Sequence, residues 1–343
     1  PAGFEAPEIG TFLHYLLENT AREVAGSGGW AAVKTPQLHA MVRKYIDLYI
    51  RDEIPGYEEK SARFRYLFGR LRTTAEDIVD RMAEELAESD FKPVAFELGF
   101  GGRDGTLPAI TIQEGDATLS VSGKVDRVDG WLHDGKLYLR VVDYKTGRKS
   151  FDLSDVRYGL GIQMLLYLFT LEKEGQSCFG YPIVPAGVLY HPARDLILKT
   201  ERDISPEALR KAMDRELRRD GMVLGDPEVL RAMEHSALEA PCFLPIQVSK
   251  DGGISGGVAT AAQLGRLGQY VEKLLHQITR ELRQGNIDAD PCWRGPQESA
   301  CTYCDFASAC HFQDGQADDR LRPLKRVKPD EFWEFVAHET GEE

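Results

Sequence analysis

Apolar residues recur every three or four positions through the first ninety residues, the spacing of one face of an α-helix. In residues 8–25 this stripe consists of Ile9, Phe12, Leu13, Leu16, Leu17 and Val24. Residues 36–52 and about 59–90 repeat the pattern, so the sequence predicts three successive amphipathic helices. The glycine-rich segment from Gly26 to Gly29 ends the first helix.

After residue 93 the chain becomes rich in alternating and β-branched residues, which is typical of strands. We expect four strands in meander order, at 94–100, 109–113, 117–129 and 136–144. His133-Asp-Gly135 is a hairpin signal between the last two. This order places Asp126 and Asp143 on neighbouring strands.

Most of the remaining chain returns to helical spacing. We predict helices at 153–174, 205–221, 226–235, 260–285 and 330–337, a strand at 181–191, a loop at 252–257 and a polar segment at 314–329.

Composition narrows the class of protein. The 343 residues are 42% hydrophobic and 28% charged, as in ordinary globular proteins. No apolar run approaches the roughly 20 residues of a membrane helix, and no signal-peptide pattern is present. The chain opens at Pro1 without a methionine, so we expect a fragment of a longer protein.

The formal net charge of −13 argues against capture of nucleic acid by bulk electrostatics. Any DNA contact therefore requires a metal, a local basic patch or help from a partner protein. Two basic segments are available, residues 63–72 with four arginines and residues 320–328. A solvated helix face or a polar tail is the commoner explanation of each.

Asp143-Tyr144-Lys145 carries the most informative chemistry. Side chains two apart on a strand share a face, so Asp143 and Lys145 meet at one spot, and Asp126 comes from the preceding strand. Two carboxylates, with the backbone carbonyl of Tyr144 as a further oxygen, can hold Mg²⁺ or Mn²⁺. Lys145 can orient the attacking water of phosphodiester hydrolysis. For the triplet alone a surface salt bridge is commoner; the position of Asp143 at the end of a buried strand favours the metal site.

Two weaker signals accompany it. Gln163 and Tyr167 are four residues apart and share a helix face, from which they can reach DNA or the metal-site lysine. His14 lies among apolar neighbours and is usually a core residue in such a setting. It becomes a ligand candidate only if its helix packs beside the strand ends.

Cysteines concentrate near the C-terminus. Cys301, Cys304 and Cys310 form a Cys-x2-Cys-x5-Cys pattern, and Cys292 is the nearest fourth thiol. Thiolates at this spacing hold zinc or an iron–sulfur cluster; buried structural thiols are the alternative.

The segment Gly130 to Lys136 matches the start of a phosphate-binding loop. Leu137 stands where serine or threonine is required, and the context is a hairpin. We therefore predict no nucleotide-binding site.

In this order, Gly10-Thr-Phe-Leu-His14, Gly123-Lys-Val-Asp126, Asp143-Tyr-Lys145 and Gln163-x3-Tyr167 resemble the RecB/AddB branch of the PD-(D/E)XK nucleases. Phe96 to Gly101 and the cysteine pattern are similar to the C-terminal nuclease domain of AddB-type proteins of bacterial AddAB helicase–nucleases. The likeness runs from about residue 8 to residue 312.

The resemblance implies an α/β fold with a restriction-endonuclease-like central mixed sheet flanked by helices, with helical insertions and a C-terminal cysteine cluster. It implies a cytoplasmic, Mg²⁺-dependent DNA exonuclease that cuts a strand delivered by an AddA-like helicase partner in double-strand-break repair. Asp126, Asp143 and His14 would ligate the metal, Lys145 would be the catalytic lysine, and Gln163 and Tyr167 would support the site.

The resemblance also implies a [4Fe–4S] cluster on Cys301, Cys304 and Cys310. The family's fourth cysteine precedes the first helix, before this fragment begins, so Cys292 is either an extra thiol or a substitute ligand. The cluster is therefore expected to be incomplete or absent in the fragment.

We expect the following division: a helical part at 1–93, the catalytic core at 94–200, a helical insertion and return helix at 201–290, the cysteine segment at 291–312 and a polar tail at 313–343. Two other functions stay open at this stage. One is a stand-alone RecB-like nuclease of CRISPR adaptation, and the other is a catalytically silent DNA-binding or scaffold module with a structural cluster.

Overall fold

The computed structural model describes residues 6–102, 105–147, 150–193, 204–316 and 319–341. The helices are α1 (Ala6–Gly26), α2 (Thr35–Glu53), a 3-10 turn (Tyr57–Glu59), α3 (Ala62–Ala87), α4 (Leu153–Arg157), α5 (Gln163–Phe179), α6 (Pro206–Glu216), α7 (Pro227–Met233), α8 (Ala261–Arg283), α9 (Ala307–Cys310) and α10 (Pro329–Glu339). The strands are β1 (Lys92–Phe100), β2 (Ile110–Glu114), β3 (Ala117–Val121), β4 (Gly123–His133), β5 (Lys136–Lys145), β6 (Ile183–Pro192), β7 (Asp220–Leu224), β8 (Ile246–Val248), β9 (Ile254–Gly256), β10 (Val258–Ala259), β11 (Cys292–Trp293) and β12 (Arg322–Pro323).

The chain divides into two compact units. Unit 1 comprises residues 1–109, 122–151 and 164–264, and unit 2 comprises residues 110–121, 152–163 and 265–343. The domain boundaries predicted above remain predictions, and the one at residues 200/201 falls outside the described residues.

Unit 1 contains a six-stranded mixed sheet in the order β1-β4-β5-β6-β7-β10. The β1–β4, β4–β5 and β6–β7 pairs are antiparallel, and the β5–β6 and β7–β10 pairs are parallel. The predicted α/β fold with a central mixed sheet is therefore confirmed.

The predicted four-strand meander is wrong. The stretch 117–129 divides at Ser122 into β3 and β4, because β3 pairs with β2 in a separate two-stranded sheet while β4 pairs with β1. The hairpin prediction is confirmed, since His133 pairs with Lys136 across a turn in which Asp134 and Gly135 both have positive φ. The predicted helix at 153–174 is likewise two helices, α4 and α5.

The hydrophobic core of the N-terminal helices reaches the sheet through Tyr144. Phe12, Leu16 and Leu17 of α1 are fully buried in this core, and the Phe12 ring centroid lies 5.3 Å from that of Phe68 in α3. This packing confirms the predicted apolar stripe and fixes α1 beside the strands.

A buried ionic network ties α3 to the sheet. Glu85 of α3 accepts hydrogen bonds from Arg140 of β5 and from Arg219, while Asp129 of β4 accepts from Arg140 and Arg127. All five side chains are at most 3% exposed. Charged groups buried this deeply require partners, and here each carboxylate accepts hydrogen bonds from two guanidinium groups.

Candidate functional site

Three adjacent strands bring three carboxylates to one place. Glu97 of β1 lies opposite Asp126 of β4, because the pairs Phe96–Arg127 and Leu98–Val125 flank them. On the other side of β4, Arg127 pairs with Val142 of β5. Because these two strands are antiparallel, the next residue of β5, Asp143, lies beside Asp126. The predicted neighbourhood of Asp126 and Asp143 is confirmed.

His14 completes the group from α1. Its Nδ1 lies 3.6 Å from Glu97 Oε1 and 3.5 Å from Asp126 Oδ1. The possible ligand atoms of His14, Glu97 and Asp126 all lie within 4.8 Å of one another. In the described part of the chain, this is the single group of three or more histidine, cysteine or acidic residues that meets this distance. An imidazole nitrogen with carboxylate oxygens fits a divalent cation.

Glu97 is the residue that sequence reasoning missed. Its backbone φ is +48°, a left-handed conformation in the middle of a strand, which costs on the order of 1–3 kcal/mol in a non-glycine residue. Strain of this kind persists where the surrounding structure holds it and often marks functional sites. The available signal was a single carboxylate between the apolar residues Phe96 and Leu98.

Asp143 and Lys145 meet as predicted. Lys145 Nζ lies 2.5 Å from Asp143 Oδ2, and the Asp143 side chain is only 9% exposed. Asp143 lies close enough to His14 and Asp126 to affect the pKa of each, although it is not in the 4.8 Å group.

Tyr144 anchors the strand end between Asp143 and Lys145. Its backbone N–H donates to Asp126 Oδ2 at 2.9 Å, and its buried hydroxyl accepts from Arg127 Nη1 at 3.1 Å. Its ring also contacts that of His14 edge-on, with centroids 5.8 Å apart. Tyr144 thus joins the ionic network to two site residues, while ligation by its backbone carbonyl remains a prediction.

The surroundings shift the pKa of each residue in this group. Burial, with contributions from Asp143 and Glu97, raises the pKa of Asp126 to about 6. The hydrogen bond to Glu97 raises the pKa of His14, and the same bond lowers the pKa of Glu97. Protons therefore compete with a metal for Asp126 and His14.

Gln163 and Tyr167 occupy the first two turns of α5. Tyr167 is only 6% exposed and packs edge-on against Phe100, with ring centroids 5.0 Å apart. A Cβ atom on Gly123 would lie 3.0 Å from the Tyr167 hydroxyl, so the absence of a side chain at Gly123 makes room for this ring. Gln163 is exposed. The catalytic or DNA-binding roles of both residues remain predictions.

The four clustered cysteines belong to unit 2. Cys304 and Cys310 are exposed and Cys292 and Cys301 are half-buried, all as free thiols. The backbone carbonyl of Cys292 accepts from Ala300 N–H at 2.9 Å, next to Cys301. Within the described ranges these thiols do not gather into a group of three within 4.8 Å, so the arrangement gives no support to a metal or cluster site.

Comparison with models of known protein families identifies the superfamily of this chain. The model of the PD-(D/E)XK nuclease superfamily matches residues 1–311. The chain belongs to this superfamily.

Curated relatives in this family are named as one of the subunits of an ATP-dependent helicase/deoxyribonuclease. The protein from Acetivibrio thermocellus is 33% identical over 340 residues, and that from Caldanaerobacter subterraneus is 31% identical over 348 residues. These alignments cover 98% and 99% of this chain but only 30% and 29% of the relatives. The chain thus spans about a third of their length.

In the described part of the chain, no helix combines the length and apolar content needed to cross a membrane.

Proposed function

We propose that this chain is a divalent-metal-dependent DNA nuclease domain. The observation that carries the proposal is the convergence of His14, Glu97 and Asp126 within 4.8 Å, with the Asp143–Lys145 pair beside them, in a PD-(D/E)XK chain. We further propose that it acts as an exonuclease on a strand supplied by a helicase partner in double-strand-break repair. The names of the relatives, which join helicase and deoxyribonuclease, support this finer proposal.

His14, Glu97, Asp126 and Asp143 would hold Mg²⁺ or Mn²⁺. Such a cation, when bound, neutralises phosphate charge and makes a water nucleophilic. Lys145, held by Asp143 at 2.5 Å, positions the attacking water by hydrogen bonding. Asp126 accepts a hydrogen bond from the Tyr144 N–H, which holds β4 and β5 together beside the site. The buried setting strengthens these electrostatic contacts.

The decisive experiment follows cleavage of end-labelled single-stranded and duplex DNA with Mg²⁺, Mn²⁺ or EDTA. We expect cleavage that requires the metal, and loss of at least about 100-fold in the rate for Asp126→Asn and Asp143→Asn, since each removes a ligand charge. Asp134→Asn is the matched control, because Asp134 is an exposed turn residue at the far end of the same hairpin and Asn tolerates its positive φ. Full activity of both site variants would refute the proposal.

A further inference from the structure

A second lysine lies at the other end of the carboxylate group. Lys124 of β4 places its Nζ 3.4 Å from Glu97 Oε2, whereas Lys145 Nζ contacts Asp143. The two side chains differ in exposure, 61% for Lys124 and 27% for Lys145. Lys124 therefore presents its ammonium to solvent at the edge of the site, while Lys145 is half-buried.

Formal charges indicate why an additional cation matters. Glu97, Asp126 and Asp143 carry three negative charges, which Lys145 and one divalent cation would cancel. With His14 as a neutral ligand, the formal charge of the site would be zero, and the metal ion itself would be the only source of attraction for a phosphodiester. Lys124 raises the formal charge of the metal-loaded site by one, to +1, and so makes this site attractive to a DNA backbone.

The geometry also allows Lys124 to change partner. An ammonium has three donors, and Glu97 is its ion-pair partner among the residues that the structure describes. Glu97 is also one of the three residues that could hold a metal ion. A cation bound to this carboxylate would share its negative charge and weaken its attraction for Lys124. The long flexible stem of lysine then lets the ammonium turn to an incoming anion.

We infer that Lys124 binds a backbone phosphate of the DNA strand that enters the site, and that its role is substrate binding. This inference rests on the proposed nuclease function and adds a substrate contact to it. The contact is to phosphate and is therefore independent of base sequence.

The test uses the full chain, the variants Lys124→Met and Lys124→Arg, and Lys136→Met as control. Lys136 is exposed and opens β5 at the end opposite Lys145, about 30 Å away along the strand. Binding of a fluorescent single-stranded oligonucleotide is measured by anisotropy in Ca²⁺ over a range of salt concentrations. Cleavage at saturating DNA is measured separately in Mg²⁺.

We expect Lys124→Met to weaken DNA binding about 5- to 10-fold at low salt and to make the slope of log affinity against log salt shallower by about 0.7, the loss of one phosphate contact. Lys124→Arg should keep the affinity, Lys136→Met should match the wild type, and turnover of Lys124→Met at saturation should fall less than about threefold. Mn²⁺ affinity without DNA should not fall, because the variant removes a competitor for Glu97, whereas general damage to the site would lower it.

Two results separate the possible failures. Wild-type affinity and salt slope in Lys124→Met, in a preparation whose wild type cleaves DNA, would overturn the inference and leave the nuclease function standing. A wild type that neither binds nor cleaves DNA with any divalent cation would overturn the nuclease function itself.

Discussion

Neutralising Glu85 should destabilise unit 1 strongly. The carboxylate of Glu85 accepts hydrogen bonds from Arg140 Nη2 at 3.1 Å and from Arg219 Nε at 3.0 Å and Nη2 at 2.5 Å. In Glu85→Gln the side chain keeps its size but loses the negative charge of this carboxylate. Arg127, Arg140 and Arg219 would then face Asp129 alone, so the formal charge of the buried network would rise from +1 to +2.

The expected cost follows from burial. Removing one partner of a buried charge network typically costs about 3–5 kcal/mol, because it leaves uncompensated charge in a poorly solvated place. Glu84→Gln is the matched control on the same helix. Glu84 is 41% exposed, and its pair with the exposed Arg210 is a surface pair of the kind that contributes about 0–1 kcal/mol. Its other partner, Arg81, would keep the carboxylate of Asp214.

Unfolding in denaturant should be monitored through the hydrogen exchange of peptides from β4 and β5. A local measurement is needed because a chain of two compact units need not unfold in a single transition. Glu85→Gln should lower the free energy of opening in these strands by several times the effect of Glu84→Gln. Equal effects would refute the view that the buried network stabilises the sheet.

The same variant has a signed pH dependence. Burial favours a raised pKa for Glu85, but the guanidinium groups of Arg219, Arg140 and Arg127 outweigh it and hold the pKa well below its usual range. A lowered folded-state pKa gives stability that is present above the unfolded value, about 4.3, and is lost as pH falls below it. The difference between wild type and Glu85→Gln should therefore be full at neutral pH and shrink in acid.

Two further predictions concern packing and the cysteines. Gly123→Ala should lower the free energy of unfolding by about 1–3 kcal/mol, because the new Cβ would lie 2.9 Å from Phe100 Cζ and 3.0 Å from Tyr167. The control Gly10→Ala lies in a helix, where its Cβ would meet nothing within 4 Å, and should be neutral or stabilising. Thermal melts in which Gly10→Ala is the less stable of the two variants would contradict this. If the cysteine segment holds an iron–sulfur cluster, Cys304→Ala should remove bound iron and lower the melting temperature, since cluster binding adds to folding free energy; unchanged iron content and melting would speak against it.

Local periodicity predicted the elements better than their pairing. The helix at 8–25 was recognisable because its apolar side chains face one core, and the β4–β5 hairpin because its turn requires Asp134 and Gly135. Alternation does not state which strand is the neighbour of another, so the β2–β3 hairpin was wrongly placed within the main sheet.

Strand pairing also decided which residues of the candidate site could be predicted from the sequence. Asp143 and Lys145 could be placed together because strand spacing alone fixes them, and Asp126 because a hairpin fixes its register. Glu97 depends on the pairing of β1 with β4, which skips β2 and β3, and on an unusual backbone conformation. Neither is readable from the residues around it.

The left-handed backbone at Glu97 sets a conflict for protein engineering. Glycine would adopt this conformation without steric cost, so selection for heat resistance alone would favour glycine at position 97. Glycine would also delete the carboxylate that contacts both His14 and Lys124. Screens that reward thermal tolerance without assaying turnover would therefore drift toward robust variants that have lost this candidate metal ligand.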